Sequence, residues 1–139
     1  MNTRQKQEAE LDRRKVLLLS LGGASALVLA QRGGASAQLI EEKGSIERKV
    51  SKPVDSMIPG FKKVRFREIT YQPGARSKAK MQDAMICECS QGTLEVMQDD
   101  KKFTVKKGDV WTCHTGLIEA NENKGSGPAT MRVFDLLTT

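Results

Sequence analysis

The chain has 139 residues, 38% of them apolar and 29% charged, with a net charge of +6. That is room for one domain, and the balance is that of a globular chain, not a disordered one. Six of the 23 basic residues and three of the 17 acids fall in the first 37 positions, so the remainder is close to neutral; with 4% aromatics and no basic stripe, nucleic-acid binding is not expected.

The first element in chain order is a leader. In "LDRRKVLLLSLGGASALVLAQRGGASAQ" a basic head with Arg13 and Arg14 precedes an apolar run from Val16 to Ala30. A small-residue tail ends in Ala35-Ser36-Ala37. This is the layout of an export signal cut before Gln38. The apolar run is shorter than the ~20 residues a spanning helix needs, and Gly22 and Gly23 soften it. "DRRKVLL" resembles the twin-arginine export signal, with departures at Asp12 and Val16. The resemblance implies a domain that folds in the cytoplasm, touches the membrane only transiently during export, and ends in a bacterial periplasm.

Residues 38–61 read as an N-terminal arm, in which "LIEEKGSIERKVSK" forms a helical turn and one short strand. From residue 62 the chain reads as short strands. In "KKVRFREITYQPG", Val64 and Phe66 fall on one face and Arg65 and Arg67 on the other, and Pro73-Gly74 ends the strand. In "AMICECSQG", Met85, Cys87 and Cys89 share a face, and Gln91-Gly92 turns the chain. "TLEVMQDDKKFTVKKGD" reads as a hairpin with Asp99-Asp100-Lys101 at its tip. "VWTC" and "PATMRVFDLL" supply two more strands. The expected class is all-β, a sandwich or barrel whose alternate residues point inward. Burial of an outer sheet in a homodimer is expected as well.

The ordered set "PGA", "QGTLEV", "VKKGDVW", "TG" and "EANEN" resembles the cupin family over residues 62–137. The resemblance implies a double-stranded β-helix barrel. The family's second motif runs glycine, five residues, proline, one residue, glycine, two residues, histidine, three residues, asparagine. Here those places hold Gly108, His114, Gly116, Glu119 and Asn123. The first motif carries two histidines and a glutamate between two glycines. Counting back from Gly92 puts its glutamate place at Met85; counting forward from Gly74 puts its histidine places at Lys80 and Gln82. The family's three-histidine, one-glutamate metal cage is therefore missing, and a charged lysine cannot replace a histidine as ligand.

Three classes of function remain. The first is a barrel with a degenerate metal site that binds a small molecule without a resident cofactor. Glu119 is its candidate acid/base group. Gln82, Met85, Cys87, Trp111 and Asn123 are its candidate ligand contacts, and Lys78 or Lys80 could pair with Glu119 or an acidic substrate. The second is a periplasmic metal-binding barrel: Cys87, Cys113 and His114, with Met85, suit copper, while Glu119 suits another, harder divalent ion. No C-x-x-C pair supports zinc. The third is an accessory protein that only presents a surface to a partner. An oxidising compartment also favours a disulfide from Cys113 to Cys87 or Cys89, since Cys87 and Cys89 are badly spaced to bridge each other.

Overall fold

The computed structural model describes residues 37–139. The leader and its twin-arginine motif lie outside the described residues. Eleven strands follow in order: β1 Ala37–Lys43, β2 Ile46–Val50, β3 Val54–Asp55, β4 Lys63–Tyr71, β5 Arg76–Met81 and β6 Ala84–Gln91. Then come β7 Thr93–Gln98, β8 Lys101–Lys106, β9 Val110–Cys113, β10 Ile118–Glu122 and β11 Ala129–Leu137. The all-β expectation holds, and no helix forms among the described residues. One sheet has the order β1-β5-β10-β7-β8; the other has β2-β4-β11-β6-β9, with β3 added beside β4. Every pairing is antiparallel.

Residues 38–61 do more than the single short strand expected of them. They supply β1 to one sheet and β2 and β3 to the other. The helical turn expected there is absent because Gly44 turns the chain at φ 82°, and a Cβ on it would sit 2.8 Å from the Ala75 Cα. Gly92 is required in the same way between β6 and β7: its φ is 69°, and a Cβ would meet the Pro128 carbonyl at 2.5 Å. Asp99 and Asp100 alone join β7 to β8, with Asp99 at φ 51°, so the expected hairpin tip is a two-residue turn.

Alternation along the strands sets the interior. On β6, Met85, Cys87 and Cys89 are buried while Ile86 is exposed. On β7 and β11, Leu94, Val96, Met131 and Val133 face the same core. β4 inverts ordinary expectation. Arg65 and Arg67 are buried beside Ile69 and Tyr71, while Phe66 packs outside against Phe134 at 5.4 Å. The reason is Asp135 on β11, fully buried directly across from Arg65. Its Oδ2 accepts from Arg65 Nε at 3.0 Å and Arg67 Nε at 2.7 Å, and its Oδ1 from Arg67 Nη2 at 2.7 Å. Charge pairing with good hydrogen bonds is the condition under which guanidinium groups enter a core.

Candidate functional site

The two-residue period of β10 sends Glu119 and Asn121 inward together. β7 lies beside it and puts Gln98 directly opposite Glu119. β9, in the other sheet, presents Trp111 and Cys113 to the same interior. Three donors reach Glu119 Oε2: Gln98 Nε2 at 2.9 Å, Cys113 Sγ at 3.0 Å and Trp111 Nε1 at 3.3 Å. Asn121 Nδ2 donates to Oε1 at 2.9 Å. The carboxylate is 2% exposed. Gln98 is itself fixed, because its amide also donates to the Thr112 carbonyl at 2.9 Å. Side chains from three strands and both sheets thus converge on one buried acid.

The surroundings hold other groups in their neutral forms. The Cys113 thiol is pushed far up, first by its hydrogen bond with Cys87, then by burial and by the Glu119 charge. It therefore remains a thiol that donates to Glu119. One layer along the barrel, Tyr71 and Ser77 share a hydrogen bond at 2.8 Å. Burial raises the Tyr71 phenol to about 12.

Among solved structures, a cupin superfamily protein of Desulfitobacterium hafniense aligns over 70% of this chain and 84% of its own, with 19% identity and a TM-score of 0.56. The fold is that of a cupin. A Thermotoga maritima protein, itself a predicted oxalate decarboxylase, aligns over 75% of this chain and 95% of its own, at 21% identity and a TM-score of 0.57. A cupin 2 conserved barrel protein of Salinispora arenicola gives 64% and 73% coverage, 16% identity and 0.54. No family model and no curated protein matches the sequence. Identities this low speak for the fold and leave function to the site.

The cupin motif can now be set on the barrel. Lys80 and Gln82, the histidine places by forward counting, are both exposed. The inward positions just before Met85 are Ala79 and Met81, on β5 beside β10. The positions that correspond to the cupin metal cage thus hold an alanine, two methionines and Glu119. One carboxylate and no imidazole do not fit a hard metal ion. Among the described residues, no group of three or more His, Cys, Asp or Glu side chains could hold a metal.

The structure brings together Glu119, Trp111, Cys113 and Cys87, and places Met85 directly opposite Cys113 on the neighbouring strand. It separates the others. Gln82 is exposed in the turn after β5, so it orients nothing inside. His114 follows inward-pointing Cys113 into a turn, is exposed, and keeps its Nδ1 2.9 Å from the Thr115 carbonyl. It cannot join the thiols as a ligand. Asn123 is 1% exposed but fully occupied in holding loops. Its Nδ2 donates to the Tyr71 and Gly127 carbonyls, and its Oδ1 accepts from the Gly125 amide. Lys78 points outward, into a groove of about 380 Å³ on the outer face of the first sheet. The expected disulfide is not formed: Cys87, Cys89 and Cys113 are all free and buried. Cys89 lies apart, donating weakly to the Gln91 and Gly92 carbonyls at 3.5 Å.

Sequence reasoning missed Gln98, Asn121 and Asp135. Gln98 could have been found, because it continues the buried series Leu94, Val96 by a further two residues. The same period places Asn121 on the face of Glu119. Nothing local marks Asp135 as the partner of Arg65 and Arg67, some 70 residues earlier.

Proposed function

We propose that this cupin-fold protein binds a small molecule inside its barrel, with Glu119 as the anchoring acceptor. The observation that carries the reading is the convergence of four side-chain donors on one buried carboxylate. A barrel kept only for its stability fills such a place with apolar side chains at lower cost. Donors locked by packing and by further hydrogen bonds are what a preorganised site needs. Oε2 already takes three hydrogens, whereas Oε1 takes one. Ligand contact, and any proton exchanged in a reaction, therefore goes through Oε1. Met85, Cys87 and Trp111, buried on the paired strands β6 and β9, would supply the ligand's apolar contacts.

The test uses Trp111, the only tryptophan in the chain. A library of small polar compounds is screened by thermal shift and by tryptophan emission. At least one compound should raise the melting temperature and move the emission in the same concentration range, and Glu119→Gln should abolish both. A library without a hit, or a hit indifferent to Glu119→Gln, overturns the reading.

A second reading is capture of a soft metal. It is favoured by the contact of the Cys87 and Cys113 thiols, a pair suited to copper(I); Met85 lies opposite Cys113, but its sulfur meets Arg67 Nη2 at 3.7 Å. Titration with copper(I) against a chromophoric chelator tests it. One ion should be held per chain and lost in Cys87→Ser/Cys113→Ser.

Two further parts of the proposal rest on other residues. The leader supports export to the periplasm, tested by fractionation of an Arg13→Lys/Arg14→Lys variant, which should stay in the cytoplasm. The outer face of the second sheet supports pairing with another copy, because Phe134 and Ile86 are each 40% exposed beside Phe66. Phe134→Glu should then halve the mass measured by light scattering.

A further inference from the structure

Asn121 Oδ1 is buried with no hydrogen-bond partner, the one such side-chain nitrogen or oxygen among the described residues. The residue is 4% exposed and lies on β10 beside Glu119. Turning the amide over would not help. Its nitrogen already donates to Glu119 Oε1 at 2.9 Å, and a flip would set two acceptors against each other. The position therefore holds two neighbouring acceptor atoms with unused capacity, Asn121 Oδ1 and Glu119 Oε1, and both call for hydrogens from outside the protein.

The next interior position holds the reverse. Ser77 sits directly across the strand pair from Asn121, and its hydroxyl meets the Tyr71 hydroxyl at 2.8 Å. Two hydroxyl groups carry two hydrogens and their contact uses one, so the other is available to an acceptor. The burial that raises Tyr71 keeps that hydrogen in place at ordinary pH. A carboxylate brings no hydrogen to the two acceptors Asn121 Oδ1 and Glu119 Oε1, so it would set acceptor against acceptor there.

We propose that Asn121, with Glu119 on one side and the Ser77–Tyr71 pair on the other, selects a small neutral molecule that bears an N–H or O–H donor next to an acceptor. A primary carboxamide is the simplest example, and carboxylic acids are rejected. This deepens the reading of the barrel interior as a ligand site and rests on it. Its donor hydrogens go to Asn121 Oδ1 and Glu119 Oε1, and its carbonyl accepts the spare hydroxyl hydrogen. Ligand selection of this kind depends on buried polar groups that would otherwise stay unpaired.

The experiment titrates the full chain with acetamide, acetate and oxalate at matched ionic strength, read by Trp111 emission and by isothermal calorimetry. Acetamide should bind saturably at millimolar concentration, and the two acids at least tenfold more weakly. Asn121→Val should weaken acetamide at least tenfold, and Ser77→Ala by a smaller factor. Circular dichroism of each variant shows whether it folds; if Asn121→Val does not, Asn121→Ser takes its place with the same expected direction. Equal or tighter binding of acetate or oxalate overturns the selectivity and leaves the interior site standing. Acetamide binding unchanged in the Asn121 variant also overturns it. If no probe binds but the wider library yields a ligand that depends on Glu119, the selectivity fails alone. If the library is silent as well, both readings fail. A crystal structure with an ordered water on Asn121 Oδ1, together with silent titrations, would assign that atom to structural hydration.

Discussion

Two carboxylates are buried in this barrel and they are treated in opposite ways. Asp135 is matched by two guanidinium groups, one of them gripping both its oxygens. Glu119 is matched by an amide, an indole, a thiol and a second amide, all neutral donors. The first arrangement pairs opposite charges between adjacent strands of one sheet and occupies both carboxylate oxygens. The second gathers its donors from both sheets, has no salt bridge among the described residues, and stands beside an acceptor that has no donor. A buried ion cluster supports the register of its sheet, whereas the proposed ligand site is built on a buried acid among neutral donors.

The sharpest way to break this contrast is to neutralise each acid in turn. Asp135→Asn removes the anion that Arg65 and Arg67 share and should cost about 3–5 kcal/mol in chemical denaturation. Much of a small domain's stability is of that order. Replacing the whole cluster with Arg65→Met, Arg67→Met and Asp135→Leu should recover most of the loss, because an apolar trio needs no compensation. If the triple variant folded well yet lost ligand response, the ion cluster would belong to the site and the contrast would fall. Glu119→Gln should cost less, roughly 1–3 kcal/mol, because an amide oxygen still accepts some of the four donors. It should abolish the ligand response outright.

Tyr71 sharpens the contrast from the alkaline side. Burial raises its phenol to about 12, against about 10 in an unfolded chain. The folded protein therefore favours the neutral phenol. The associated stability is complete below pH 10 and is lost as pH rises from 10 to 12. The difference in unfolding free energy between the wild type and Tyr71→Phe should shrink by roughly 2–3 kcal/mol across that window. Tyr71 is the only tyrosine, so phenolate absorbance reports it without overlap. Titration of the folded protein near pH 10 would mean that the layer around Ser77 is wet.

Much of this was legible in the sequence, and the limits have physical causes. The spacing from Gly108 to Asn123 singled out Glu119 but left its direction open, and the alternation of β10 turns it inward. The period of β6 likewise placed Met85 and Cys87 on its inner face. The motifs misled at Gln82 and Asn123, and adjacency to Cys113 misled at His114. A count along the chain gives a position, but inward or outward direction depends on strand register, and forward counting from Gly74 was off by one residue. A one-residue slip moves a side chain to the opposite face of a sheet. Asn123 kept its motif place but serves as a strut between loops, which its residue type does not reveal. The Arg65–Arg67–Asp135 cluster was hidden for another reason. Two arginines on an alternating strand ordinarily face water, and only pairing between strands distant in sequence turns them inward.

The smallest expected effect asks what the sulfur beside Glu119 contributes. Cys113 gives one of three hydrogens to Oε2, so Cys113→Ala should cost about 1 kcal/mol, and Cys113→Ser, which restores a donor, less than that. The thiol is held protonated by Cys87, by burial and by the adjacent carboxylate, and the thiolate is the form that reacts. Iodoacetamide at pH 8 should therefore leave Cys113 unlabelled in the folded protein and label it after unfolding, as peptide mapping would show. If Ser replaces Cys with full ligand response, the sulfur acts only as a hydrogen donor to Glu119. If Ser restores stability but removes copper(I) binding, the same position also serves a metal, and the contrast between the two acids would gain a third member built on Cys87 and Cys113.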